Sequence, residues 1–223
     1  TPAEIATAEA ALGASLPSRE TRAELEASSR LYLEGGAAFM TALMLEGAEE
    51  ADPRIAPVTF ALTADRLATV RDHDPRPFRS FAARADRNAA GCENADGLLL
   101  TLLEAAVDRL ADVLEETGRD IEALSREVFR AEDDRPISSN ALRRVIRKVG
   151  GADGLLSKLR DSLQSLDRLC GFLAQVQIAR RADKTLRARL KTLSRDLRSL
   201  IDQTGFLNQK TAFLLDATVG LIG

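Results

Sequence analysis

The functional group this sequence offers in quantity is the carboxylate. Glu104, Asp108, Asp112 and Glu116 step by four through an apolar-periodic stretch, a spacing that sets four acids in one nearly axial stripe of a helix. Hard cations such as Mg2+ and Ca2+ take oxygen ligands, and Mg2+ keeps much of its water, so clustered carboxylates can hold it through its hydration shell. An acidic stripe is equally the ordinary form of a solvated helix face balanced by basic neighbours, and spacing alone leaves both readings open. Other chemistry is poorly supplied. His73 is the only histidine and nothing places a nucleophile beside it, so Ser-His or Cys-His catalysis has no support. Gly35-Gly36 and Gly150-Gly151 lack the flanking pattern of a phosphate loop, which argues against nucleotide binding. Cys92 and Cys170 have no zinc-knuckle spacing and no disulfide framework, and a reducing compartment suits them. Aromatics are 4% with no Trp, against any stacking platform for single-stranded nucleic acid. The reading is of a chain that is not an enzyme, uses no organic cofactor and binds no nucleic acid.

The elements that must position the acids follow from length and pattern. With 223 residues, 45% hydrophobic and 29% charged, the chain can bury a core as one or two domains. Its net charge of −3 conceals an asymmetry: residues 1–140 hold 15 Arg against 27 acids, a net of −12, while 141–200 hold 15 Lys and Arg against 5 acids, a net of +10. The two parts attract, and by charge alone the basic one suits an acidic helix of its own chain, nucleic acid or an anionic lipid surface. Neither Leu98 to Leu103 nor Phe213 to Gly223 is long enough to span a bilayer. A chain that lacks an initiating Met and ends on an apolar run reads as a fragment of something longer.

Thr1-Pro2-Ala3-Glu4 starts a helix that runs to Gly13, and Ser18-Arg-Glu-Thr starts a short second one. Short β-prone runs at Leu31–Leu33, Phe39–Leu45, Val58–Leu62 and Leu67–Val70, with a turn at Thr63-Ala-Asp-Arg, predict a small sheet of at least three or four strands, some of them paired as antiparallel hairpins. From about Asp74 no further strand is needed. Helices are expected near 77–88, from Asn94 to Phe129, from Ser138 to about Ile178 after a break at Pro136, and from Asp183 to the end, with Gly150-Gly151 weakening the third by roughly 1 kcal/mol each.

The last helix has the sharpest periodicity. Leu186, Leu193, Leu200, Leu207, Leu214 and Leu221 recur every seven residues, and the second core position passes from Leu190 and Leu197 to Thr204, Thr211 and Thr218. One arrangement that produces such a seam is several copies around an axis that becomes hydrated near the end; the other is a single amphipathic helix lying on its own domain.

The run Phe206-Leu-Asn-Gln-Lys-Thr-Ala-Phe-Leu-Leu-Asp-Ala-Thr-Val-Gly-Leu-Ile-Gly223 resembles the end of the stalk helix of CorA-type magnesium transporters. Glu26-Ala-Ser-Ser-Arg-Leu-Tyr32, the stretch from Pro57 to Arg71, Leu103 to Glu115 and Ile121 to Phe129 agree in kind and order, so the resemblance spans nearly the whole chain. It implies an α+β (α/β/α) N-terminal domain with a small mixed sheet over residues 1–92, lacking its first strands; long acidic and basic helices over 93–180; and a stalk helix over 181–223 that leads to two absent transmembrane helices and a Gly-Met-Asn signature. It also implies a homopentamer on the cytoplasmic side of the inner membrane that senses Mg2+ and gates a divalent-cation channel. Within that picture the leucines close a five-helix bundle, Thr211 and Thr218 face water at the approach to the pore, and Asp216 matches the acidic residue at the cytoplasmic mouth. The interfacial sensing acids of the family fall at Thr192 and near Arg22, a departure, and Glu20 and Glu24 with Asp196 are the candidates for a shifted metal site, Glu26 lying beside them. A ZntB-like zinc transporter domain is the nearest alternative within the family, cobalt or nickel transport remains open, and a soluble coiled-coil scaffold protein is the alternative outside it. The absence of a His/Cys cluster speaks against zinc.

Overall fold

The computed structural model describes residues 2–24, 26, 30–48, 50, 52–85, 93–129 and 139–220. Cys92, the Pro136 break, Ser138 and Leu221 lie outside the described residues. The elements are α1 (Pro2–Leu12), α2 (Arg19–Ala23), β1 (Leu31–Glu34), β2 (Ala37–Glu46), β3 (Arg54–Leu62), β4 (Leu67–Arg71), α3 (Arg76–Ala85), α4 (Ala95–Phe129), α5 (Ser139–Ala179) and α6 (Lys184–Gly220).

The strands form one four-stranded sheet in the order β1-β2-β3-β4. Gly35 and Gly36, with φ of 57° and 81°, are the two-residue loop between β1 and β2; positive φ at both positions is what a tight hairpin of matching twist requires. Between β3 and β4, Thr63 N donates to Arg66 O at 2.9 Å and Arg66 N to Thr63 Oγ1 at 3.1 Å, closing the expected turn. Among the described residues all three strand pairs are antiparallel, where the resemblance implied a mixed sheet: successive strands are joined by loops too short for the crossover that a parallel pair needs.

The sheet is covered on both faces, which makes the α/β/α layering. Residues of one parity, Ala38, Met40, Ala42, Met44, Val58, Phe60 and Leu62, join the main core with the long helices. Residues of the other parity, Ala37, Phe39 and Ala61, pack with Leu12, Ala14 and Leu16 on the α1 side. This is the period of two expected of a sheet buried on both sides. β1 pairs with β2 only as far as Met40. Beyond that point α5 protects the edge: Leu43 N donates to Ser165 Oγ at 2.9 Å and Ser162 Oγ donates to Leu43 O at 2.8 Å.

α4, α5 and α6 run for 35, 41 and 37 residues. Asn94 caps α4, accepting from Gly97 N at 2.8 Å, and Asp183 caps α6, accepting from Thr185 N at 3.0 Å. α5 passes straight through Gly150-Gly151 because the tertiary contacts of its apolar face, Val145, Val149, Leu156 and Leu159, hold it on the core. At its end, Arg181 adopts φ 53° and Ala182 N donates to Gln177 O at 2.9 Å, reversing the chain into α6. Arg180 ties this corner to the sheet, donating to Leu62 O at 3.0 Å and Thr63 O at 2.9 Å, with the carboxylate of Asp96 at 3.9 Å. Burial pushes the Asp96 carboxyl above its ordinary range, against the pull of Arg180.

Candidate functional site

The leucine seam of α6 is spent inside one chain. Leu190, Leu193, Leu197, Leu207 and Leu214 are buried in the core shared with α4 and α5, and Leu186 and Leu200 pack at its margin. Thr204, Thr211 and Thr218 continue the same seam, at 0, 1 and 0% exposure. The expectation that Thr211 and Thr218 face water is therefore corrected. Their hydroxyls are satisfied locally: Thr204 Oγ1 donates to Leu200 O at 2.7 Å, Thr211 Oγ1 to Asn208 O at 2.8 Å and Thr218 Oγ1 to Leu214 O at 2.6 Å. Of the two arrangements the period allowed, the amphipathic helix on its own domain is the one formed by this part of the seam.

The opposite face of α6 is left open. Phe206, Phe213 and Val219 are 64, 62 and 54% exposed, and Asp216 is exposed between them. Phe213 stacks on Phe129 of α4 at 5.9 Å between ring centroids, and Phe129 is itself more than half exposed. Three apolar side chains and one acid within the last four turns of a long helix form the patch that periodicity concealed. The signal was present in the sequence as Phe206 and Phe213 standing off the leucine register.

A second feature is the groove between α4 and α6, of about 780 Å³, where Glu104, Asp108, Thr192 and Asp196 all contribute to the lining. The acid stripe is partly neutralised there. Arg189 grips Glu104 with Nε at 3.0 Å from Oε1 and Nη2 at 2.8 Å from Oε2, and also reaches Thr101 Oγ1 at 2.9 Å. Such a two-pronged pair is among the stronger of protein ion pairs and fixes the side chain of Glu104. Further along, Lys210 pairs with Glu122, and that hydrogen bond holds the Glu122 carboxyl below its ordinary range. Asp112 and Glu116 are exposed.

The remaining expected metal residues are not gathered within one chain. Glu20 and Glu24 are exposed, on α2 and at its C-cap, and α2 packs on β3; Asp196 is exposed on α6 at the other groove. Arg22, between them, is a buried cation 3.4 Å from Asp72, with Nε and Nη1 unpartnered. The Glu24 carbonyl accepts from Arg30 Nε at 2.6 Å and its N–H donates to Thr21 O at 3.3 Å. Among the described residues no group of three or more His, Cys, Asp or Glu is placed to hold a metal ion. Among the same residues no helix is long and apolar enough to cross a membrane.

The family described as CorA-like Mg2+ transporter protein matches residues 15–222. The magnesium transport protein CorA of Haemophilus influenzae is 28% identical over 211 residues, and that of Salmonella typhimurium is 32% identical over 216. In each case the match takes in 95% of this chain and 64% of the relative, so the chain spans about two thirds of the length of these relatives. The soluble domain of CorA from Methanocaldococcus jannaschii superposes with a TM-score of 0.79 over 99% of this chain and 85% of that one, at 16% identity. The complete structure of the CorA magnesium transporter from the same organism superposes with a TM-score of 0.76 over 99% of this chain and 67% of that one, at 15% identity. At those identities the two structures establish the fold.

Proposed function

The chain belongs to the CorA-like Mg2+ transporter family, and we propose that it is the cytoplasmic, metal-responsive gating part of a divalent-cation channel assembled from five copies. What carries this reading is the open face of α6: an acid, Asp216, flanked by Phe206, Phe213 and Val219, all exposed on a helix whose other face is already consumed by its own domain. Exposed apolar side chains grouped on one helix face are the mark of an interaction surface. With copies arranged around an axis on this face, Asp216 becomes a ring of carboxylates, a local negative field that concentrates divalent cations ahead of the membrane. The phenylalanines supply the contact between copies.

Sensing is assigned to the face between neighbours. Asp196, with Asp108 beside it in the α4–α6 groove, meets Glu20 and Glu24 of the adjacent copy, and Mg2+ held between them favours the closed assembly; its loss frees the copies to move. This is a population shift by differential binding to two arrangements. The cation at Arg22 and the neutral Thr192 weaken the site, so it fills only at millimolar Mg2+.

The test uses the full-length protein in liposomes loaded with a Mg2+-sensitive dye. Asp216→Asn, which keeps shape and removes the charge, is expected to slow Mg2+ uptake severalfold. Uptake and its inhibition by internal Mg2+ that stay unchanged would contradict the role given to Asp216.

A further inference from the structure

The cations of residues 141–200 are used unevenly. Four are held by acids of the same chain: Lys158 at 3.9 Å from Asp52, Arg180 at 3.9 Å from Asp96, Arg189 at 2.8 Å from Glu104 and Arg198 at 3.6 Å from Asp167. The start of α5 is different. Residues 139–152 carry Arg143, Arg144, Arg147 and Lys148 and no acid, and all four cations are exposed. Of the four, only Arg144 forms an ion pair among the described residues, with Glu127 at 3.9 Å, the outer edge of such a contact. Leu142, Val145 and Val149 are buried, which puts Arg143, Arg144 and Arg147 on the opposite face of α5, where they line one hollow with Asn140 and Ile146. Lys148 stands at the margin, on the groove that α5 shares with Glu127 of α4. Two contacts between α5 and α6 fix the height of this patch: Arg198 with Asp167, and Thr211 Oγ1 with Asp153 Oδ1 at 3.4 Å. The helices run antiparallel, and continuing that register sets Arg144 and Arg147 level with the last turn of α6, just beyond Asp216.

We infer that this face of α5 docks on anionic phospholipid beside the pore. The inference rests on the reading above only for which end of the molecule faces the membrane. It uses a helix other than the one whose phenylalanines meet neighbouring copies. Three guanidinium forks around one hollow match phosphate oxygens, which arginine takes two at a time. Ile146 among them adds an apolar side chain, the mixture that suits the headgroup boundary. The attraction of an anionic leaflet for cations fades within a Debye length, so it acts on the cations at this end of the chain. Arg187, Lys191 and Arg195 are also exposed, but they lie more than about 30 Å back along α6 and out of its reach. A nucleic acid strand calls for a longer basic track than this, since Arg143 to Arg147 covers little more than one turn. The whole chain carries a net charge of −3, so an anionic surface repels it everywhere except at such a patch. α5 also holds the edge of β2 through Ser162 and Ser165, and the contact thereby ties the sheet to the bilayer.

The test is sedimentation of the chain with vesicles of phosphatidylglycerol and phosphatidylcholine in equal parts, against vesicles of phosphatidylcholine alone. Binding is expected to the first only, and to fade as NaCl is raised. Arg143→Glu with Arg147→Glu should weaken it by at least about tenfold, since two cations at the anionic surface are reversed. Arg187→Glu with Arg195→Glu makes the same change of charge far from that surface and should leave binding within about twofold. Inorganic phosphate and NaCl at equal ionic strength should release the chain alike. In the full-length protein in nanodiscs of the same lipids, with Cys92→Ala, a fluorophore on Arg147→Cys should be quenched by spin-labelled headgroups and one on Arg195→Cys should not. That measurement reads position whatever Asp216→Asn does to Mg2+ uptake, so the two accounts fail separately. No preference for the anionic vesicles, equal loss in both double variants, release by phosphate beyond that by NaCl, tighter binding to single-stranded RNA than to the vesicles, or no quenching at position 147 would each overturn the inference.

Discussion

A threonine can sit in an apolar seam only if its hydroxyl finds an acceptor, and Thr204, Thr211 and Thr218 each find one on their own helix. Sequence alone does not reveal this, because a seven-residue period is the same whether a helix packs on its own domain or on four copies of itself. Thr218→Val is accordingly expected to change stability by less than about 1 kcal/mol, whereas Thr218→Asp, burying an unpaired charge, is expected to cost several kcal/mol in urea unfolding. A water-facing Thr218 would tolerate both. His73 makes a second residue-scale case. Desolvation holds its imidazole below the ordinary histidine value, and neither ring nitrogen has a partner. Below about pH 6.5 the unfolded chain takes up a proton that the folded chain refuses, so stability falls as pH drops from that value towards the lowered one. His73→Phe should flatten this part of the curve of unfolding midpoint against pH.

The elements themselves were legible, because local signals and tertiary demand agree in them. The helix starts at Asn94 and Asp183, the four β-prone runs and the turn at Thr63-Ala-Asp-Arg all fall where sequence puts them. What sequence could not supply was the tie between elements. Arg180, one cation among fifteen in the basic segment, bonds the end of β3 and sits by Asp96. Arg180→Met should cost about 2–3 kcal/mol, since two charged hydrogen bonds go and a half-buried carboxylate loses its counter-ion. Its neighbour Arg181 is a non-glycine residue at positive φ, so Arg181→Gly is expected to raise stability by about 1 kcal/mol. Ser162 and Ser165 are equally anonymous in sequence, yet they satisfy the edge of β2 that β1 leaves unpaired. Each Ser→Ala change should cost about 1–2 kcal/mol in thermal or urea unfolding, through an unpaired backbone group at Leu43.

At the scale of the whole molecule, α6 divides its two faces between two tasks, the seam for its own domain and the phenylalanine and Asp216 face for its neighbours. Calorimetric titration of Mg2+ into the full-length assembly should show binding in the millimolar range that Asp196→Asn reduces; no binding there would remove the site assigned to Asp196, Glu20 and Glu24. The division of faces is tested most directly by cysteine accessibility in the full-length protein, with Cys92 replaced by Ala and Cys170 left in place, since burial pushes its thiol up to about 12 and leaves it unreactive. Asp216→Cys and Thr218→Cys are compared for block of Mg2+ uptake by a charged thiol reagent and for disulfide cross-linking between copies. The expected result is block and cross-linking at position 216 and neither at 218. Reaction at 218 with none at 216 would contradict the account, returning the threonine seam to the axis.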